Sequence, residues 1–219
     1  MSDAARGRIL ERLRAGGPPP PPRGASTAVL EAKSWSPTER LVRLRRMMEA
    51  VRTEFLEAGR GTWPGVVRPF LAAQGVRTLA FAPATQAGRA LRAASPEGEP
   101  PLLVPYDRPV EEWKAELFSS VDAGLTTVRS AIAETGSLVL WPSPDEPRLL
   151  SLVPPVHVAL LDVASVRDTL WQVVRQEGWA RGMPPNALLI SGPSKTADIE
   201  QTLAYGVHGP KRLVVVLIS

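Results

Sequence analysis

Ala187-Leu188-Leu189-Ile190-Ser191-Gly192-Pro193-Ser194-Lys195-Thr196-Ala197-Asp198-Ile199-Glu200, continued by Tyr205-Gly206-Val207-His208-Gly209-Pro210 and closed by Leu213-Val214-Val215-Val216-Leu217-Ile218, is the stretch on which the fold reading turns. The apolar runs at 187–190 and 213–218 read as strands, and 196–205 between them has the composition of a helix. Gly192 to Thr196 therefore reads as a strand-to-helix turn. In an open α/β sheet, ligands gather at such turns, at the carboxyl ends of the strands.

The same alternation runs outward through the chain. Val76 to Phe81, Leu102 to Val104, Leu138 to Trp141 and Val156 to Leu161 are further short apolar runs, separated by helical segments at Thr85 to Ala94, Val110 to Phe118 and Val166 to Gln176. Short apolar strands alternating with helices are the pattern of βαβ units, and hence of an α/β fold on a mainly parallel sheet with helices on both faces. Ser36-Pro37-Thr38-Glu39 starts a helix whose Leu41, Leu44, Met48, Val51 and Phe55 recur at helical spacing. Before it, Arg8 to Arg14 reads as a short amphipathic helix, ended by Gly16-Gly17 and by the extended spacer Pro18 to Pro22. The expected organisation is an N-terminal helix with a proline-rich linker over 1–36 and one α/β domain over 37–219.

Composition narrows the function classes. With 219 residues, 44% apolar content, no cysteine and two histidines, the chain can bury a core but cannot hold a Cys-ligated cluster, a disulfide or a thiolate nucleophile. The formal charge of +4 comes from arginines dispersed among glutamates, and the six tryptophans are scattered, so neither a focused basic patch nor a base-stacking platform for nucleic acid is visible. No run approaches the roughly 20 apolar residues that span a bilayer, and the charged N-terminus leads into no apolar leader, so a cytoplasmic protein is expected.

Two segments can carry chemistry. At Gly192-Pro193-Ser194-Lys195-Thr196, hydroxyls, one cation and a glycine that admits close approach surround the expected helix start, a setting for a small anion. A nucleotide P-loop is excluded, because Ser194 rather than glycine precedes the lysine. The second segment is Ala131-Ile132-Ala133-Glu134-Thr135-Gly136-Ser137, where Glu134 at a bend can act as base, nucleophile or acceptor. His208 is either a proton-handling group or a cap on the last helical carbonyls, and His157 within an apolar strand reads as a core histidine.

The segments 192–200 and 206–210, together with Ala131 to Gly136 and Leu152-Val153-Pro154-Pro155-Val156-His157-Val158, resemble the signature of the LUD domain family, the lactate-utilization proteins of the LutC type. The resemblance covers roughly residues 37–219. It implies a three-layer sandwich similar to the ribose-phosphate isomerase and CoA-transferase group, and a role in oxidising L-lactate to pyruvate beside partner subunits that carry iron–sulfur clusters. Lacking cysteine, this chain matches the cluster-free component, with no cofactor of its own. A small carboxylate such as lactate or pyruvate would then be held by Thr135, Gly136, Gly192, Ser194, Lys195 and Thr196, with Glu134 and His208 handling protons. Two alternatives stay open: a stand-alone transferase or isomerase acting on a sugar phosphate or acyl-CoA through Glu134, and a non-catalytic scaffold for the iron–sulfur partners.

Overall fold

Six parallel strands in the order β1-β12-β7-β4-β2-β3 form the spine of the protein. The structure, a computed structural model, describes residues 3–17, 27–197, 203–205 and 209–219. Its elements in chain order are α1 (Asp3–Ala15), α2 (Ala28–Glu31), α3 (Pro37–Glu49), β1 (Glu54–Ala58), α4 (Trp63–Ala73), β2 (Thr78–Phe81), α5 (Gln86–Ala93), β3 (Leu102–Pro105) and α6 (Val110–Ser119). They continue with β4 (Ala123–Thr127), β5 (Ser130–Ile132), β6 (Ser137–Leu140), α7 (Leu149–Leu152), β7 (Val156–Asp162), β8 (Val166–Arg167), α8 (Leu170–Gln176), β9 (Leu188–Ile190), β10 (Lys195–Ala197), β11 (Leu203–Tyr205) and β12 (Arg212–Ile218). The chain divides into two units, Met1–Ala32, which contains α1 and α2, and Lys33–Ser219, which contains everything else. The proline run 18–22 lies outside the described residues.

The sheet is buried on both faces, which is why its central strands are continuous apolar runs rather than alternating ones. Along β12, Val214, Val216 and Ile218 join a core with Trp63, Val67 and Leu71 of α4 and Leu91 of α5. Leu213, Val215 and Leu217 point the other way, into a core with Leu44 and Met48 of α3 and Ala131, Leu138 and Leu140. Farther along that second face, Trp113 and Leu117 of α6 and Leu150 of α7 pack on Ala80 of β2. The result is three layers, α/β in class, with a mainly parallel sheet in the middle.

The second face differs from the expectation of helices alone. It carries a four-stranded sheet in the order β8-β5-β6-β9, and β6 and β9 pair antiparallel in it. The runs at 138–141 and 187–190 are thus strands, as read, but outside the parallel sheet. The α3 stripe also ends sooner than its spacing suggests. Arg52 has a φ of 68°, which breaks the helix, and Phe55 lies in β1, paired with Val215 of β12.

The largest correction concerns 196–205. Its two ends are strands, β10 and β11, paired antiparallel with Lys195 opposite Tyr205 and Ala197 opposite Leu203. Pairing between the ends outweighs a helical composition that lacks a sustained apolar stripe. No helix starts at Gly192 to Thr196, so the unpaired backbone donors of a helix N-terminus are not supplied there. Asp198 and Glu200 lie outside the described residues.

Gly124 shows how tightly α7 lies on the sheet: a Cβ there would stand 2.1 Å from the carbonyl oxygen of Leu150. Gly65 in α4 has nothing within 4 Å of the same position. Gly124→Ala should therefore cost about 3 kcal/mol of unfolding free energy. Gly65→Ala should raise it by about 0.5 kcal/mol. Urea denaturation of the two variants checks this, and equal midpoints would refute the packing assigned to Gly124.

Candidate functional site

The two segments singled out in the sequence meet. The β5–β6 hairpin turns through Gly136 at a φ of 64°, and its second strand, β6, pairs with β9 so that Leu138 faces Ile190. One step beyond that pair, Ser137 Oγ lies 2.8 Å from Ser191 Oγ and Thr135 Oγ1 lies 2.8 Å from Ser137 Oγ, a chain of three hydroxyls. Ser137 itself is buried.

Close packing explains the glycines here. A Cβ on Gly136 would fall 2.5 Å from Cβ of Met47, and one on Gly192 would fall 2.7 Å from Cγ2 of Val51, so both segments lie against the C-terminal end of α3. The Ser194 amide donates to the Pro210 carbonyl at 2.8 Å, which ties the foot of β10 to the residues leading into β12. Lys195 is exposed at the same foot. The strand pair thus lies beside the amino ends of β1 and β12, not at the carboxyl edge where the strand-to-helix reading put it. The reason is that β9 runs in the smaller sheet. Nothing is described of the side chain of Thr196, and His208 lies outside the described residues.

Glu134 sits at the tip of the hairpin turn, where its carboxylate accepts a hydrogen bond from Lys33 Nζ. Its amide donates to the Asp168 carbonyl at 2.9 Å. Asp168 is a hub that sequence reasoning missed. Its fully buried carboxylate accepts from Arg40 Nε at 2.5 Å and Nη2 at 3.0 Å, from Gln172 Nε2 at 2.6 Å and from the Trp35 amide at 3.1 Å. Burial alone would push this carboxyl up, but the bonds from Arg40, Gln172 and Trp35 outweigh it and hold it below the usual carboxylate range. Asp168-Thr169 carried a readable signal, since Thr169 caps α8 by accepting from the Gln172 amide at 3.3 Å. The hub binds the segment at 33–35, α3, α8 and the Glu134 turn into one rigid piece.

The carboxyl edge of the large sheet holds a different set of groups. Adjacent strands β2 and β4 pair at Leu79 and Ala123, yet β2 runs on to α5 and β3 on one side while β4 leads toward β7 on the other. Beside this divergence lies a crevice of about 380 Å³ lined by Arg60, Trp63, Thr85, Gln86, Thr127 and Asp162. A second, of about 520 Å³, is lined by Tyr106, Asp107, Arg108 and Asp145 among others. Between them the Glu146 carboxylate accepts from the Thr127 amide at 2.9 Å and from Thr127 Oγ1 at 3.0 Å. Burial pushes the Glu146 carboxyl up, against the pull of those bonds. Among the described residues no cluster of three or more His, Asp or Glu is placed to hold a metal ion.

The LUD domain family model matches residues 41–218. An uncharacterized protein of Neisseria meningitidis serogroup B is 42% identical over 189 residues, which is 84% of this chain and 80% of that protein. Lactate utilization protein C of Bacillus subtilis is 34% identical over 123 residues, 51% of each chain. The protein of the same name from an Exiguobacterium species is 34% identical over 117 residues, 52% of this chain and 51% of its own. The chain thus spans about half the length of these two relatives. A crystal structure of a DUF162 family protein from Deinococcus radiodurans shares the fold, with a TM-score of 0.62 at 22% identity over 85% of this chain and 100% of the other.

His157 is the core histidine its apolar neighbours predict. It is buried in β7 with Nε2 at 2.8 Å from Thr126 Oγ1, and burial lowers its pKa to about 3 from 6.5. A folded-state value below the unfolded one means that the unfolded chain takes up the proton first. Stability is therefore complete above about pH 6.5 and falls as the pH drops toward about 3. Between about pH 7.5 and pH 5 the loss should be roughly 2 kcal/mol, above the range in which Asp168 protonates. Urea unfolding at the two pH values measures it, and a His157→Gln variant that kept the same pH slope would exclude this residue as the cause.

Proposed function

The chain belongs to the LUD domain family, and from that premise we propose that it is the cluster-free component of a system that oxidises L-lactate to pyruvate. We place its ligand, a small carboxylate, where 134–137 and 191–196 converge. The observation that carries this reading is the Ser137–Ser191 contact at 2.8 Å, which joins two segments 54 positions apart through their hydroxyls, with the exposed Lys195 following Ser191 in sequence. Serine and threonine hydroxyls both donate and accept, so the Thr135–Ser137–Ser191 chain can reorient to donate to a carboxylate. Lys195 supplies the charge, and Ser194 and Thr196 flank it in sequence. Gly136 and Gly192 serve this surface by letting α3 approach it closely. His208 remains a candidate proton-handling group on the residues that follow β11.

Glu134 takes a narrower role than general base. Its carboxylate is paired with Lys33, so it acts by fixing the turn that presents Thr135 and Ser137. That pairing weighs against the stand-alone transferase or isomerase, which needs a free carboxylate nucleophile. Electrons leaving lactate would pass to iron–sulfur subunits, because this chain has no cysteine to ligate a cluster. A scaffolding role is favoured by one observation in the first unit: Ile9 and Leu13 of α1 are exposed, the latter at 71%.

Growth on L-lactate of cells whose own copy is replaced by Lys195→Ala or Ser137→Ala tests the reading, together with calorimetric titration of L-lactate and pyruvate into the purified chain. Removing a charge-assisted bond should weaken binding at least about tenfold in Lys195→Ala and slow growth with it. Wild-type growth and affinity at normal protein levels would remove this surface from the function. Deletion of 1–32 that abolishes growth while leaving ligand affinity intact would support the scaffold instead.

A further inference from the structure

The crevice at the carboxyl edge is separate from the strand pair that carries the proposed lactate-type ligand, and its chemistry differs. It opens where β2 and β4 part, and its rim is built from the ends of four strands: Thr127 ends β4, Asp162 ends β7, Ile218 ends β12, and Arg60 follows β1. Divergent connections leave a gap outside the sheet at such a point. A volume of about 380 Å³ exceeds what a three-carbon acid fills and lies in the range of sites for larger organic ligands.

The bonding state of each polar group defines what fits. Thr127 Oγ1 spends its proton on the Glu146 carboxylate at 3.0 Å, so toward the crevice it can only accept. Asp162 accepts from the Ala164 amide at 3.0 Å and from Arg60 Nη2 at 2.8 Å, and it retains further lone pairs. Arg60 spends one of its five donors on that pair and has 68% of its side chain exposed. An ion pair this open contributes little to the fold, so the guanidinium is available to a second anion. Trp63, Val128 and Leu160 add an apolar wall.

We propose that this crevice binds a hydroxylated organic anion, with the anionic group on Arg60, hydroxyls donating to Thr127 Oγ1 and Asp162, and the carbon skeleton along the apolar wall. The donors and acceptors select for hydroxyls as strongly as for charge. A phosphate ester and a carboxylate both satisfy Arg60, and the choice between them is made by experiment.

The full chain is titrated by calorimetry and thermal shift with glycerol 3-phosphate and D-gluconate, against the hydroxyl-free counterparts ethyl phosphate and propionate. One hydroxylated probe should bind saturably and at least about tenfold more tightly than its counterpart, the strength of a buried polar match. Arg60→Ala should weaken it about tenfold or more, and Thr127→Val should reduce the preference for hydroxyls, with circular dichroism confirming that both variants fold. Lys195→Ala should leave this binding unchanged, which separates the site from the proposed lactate surface. Absence of saturable binding by either hydroxylated probe overturns the proposal. So does equal binding of the hydroxyl-free counterpart, or binding that survives Arg60→Ala but is lost in Lys195→Ala.

Discussion

Everything in the second unit rests on β12 lying between β1 and β7. It pairs in parallel with both, from Arg212 to Ile218 against β7 and from Val214 to Ile218 against β1. Its side chains supply apolar groups to both faces at once, so the helices of one layer and the small sheet of the other are anchored on the same seven residues. Each buried Leu, Ile or Val of such a strand contributes about 1.5–3 kcal/mol. A polar residue at Val215 would lose that term and also bury an unpaired group, with no neighbouring strand able to take its place.

That constraint explains which parts of the fold are legible in the sequence. A strand buried on both faces must be an unbroken apolar run, so β7, β12 and most of β2 stand out. β4 does not, because Gly124 is required by the carbonyl of Leu150 and Thr126 by the ring of His157. β1 lies at the sheet edge and merges with the stripe of α3, since Phe55 falls at a helical interval from Val51 and the break at Arg52 is a backbone conformation rather than a residue type. Membership of a sheet is decided by partners far along the chain. The run at 187–190 is apolar whether it pairs with β6 or with β12, and nothing local distinguishes the two.

The candidate site divides along the same line. Residue type and motif were enough to single out Thr135 to Ser137 and Gly192 to Lys195, and the hydroxyl contact between them follows from a strand register that periodicity cannot supply. The buried Asp168 escaped notice because its importance lies in four donors drawn from three separate segments. Arg60, Thr127 and Asp162 are likewise unmarked in sequence, each a polar residue at or just past the end of a strand. They gain meaning only when the ends of β1, β4 and β7 are seen side by side.

The pairing of β1 with β12 also sets a schedule for synthesis. Glu54 and its partner Val214 are 160 positions apart. At ribosomal rates of about 5–20 residues per second, β1 waits on the order of ten seconds for β12, its partner in the large sheet. Late in that interval, once it has been made, β7 presents an open, apolar edge as well, since β12 is to cover that too, with Val156 lying 56 positions before its partner Arg212. Such edges invite pairing with other nascent chains. The newborn chain is thus most vulnerable just before β12 arrives, and a factor that shields strand edges would act on it then.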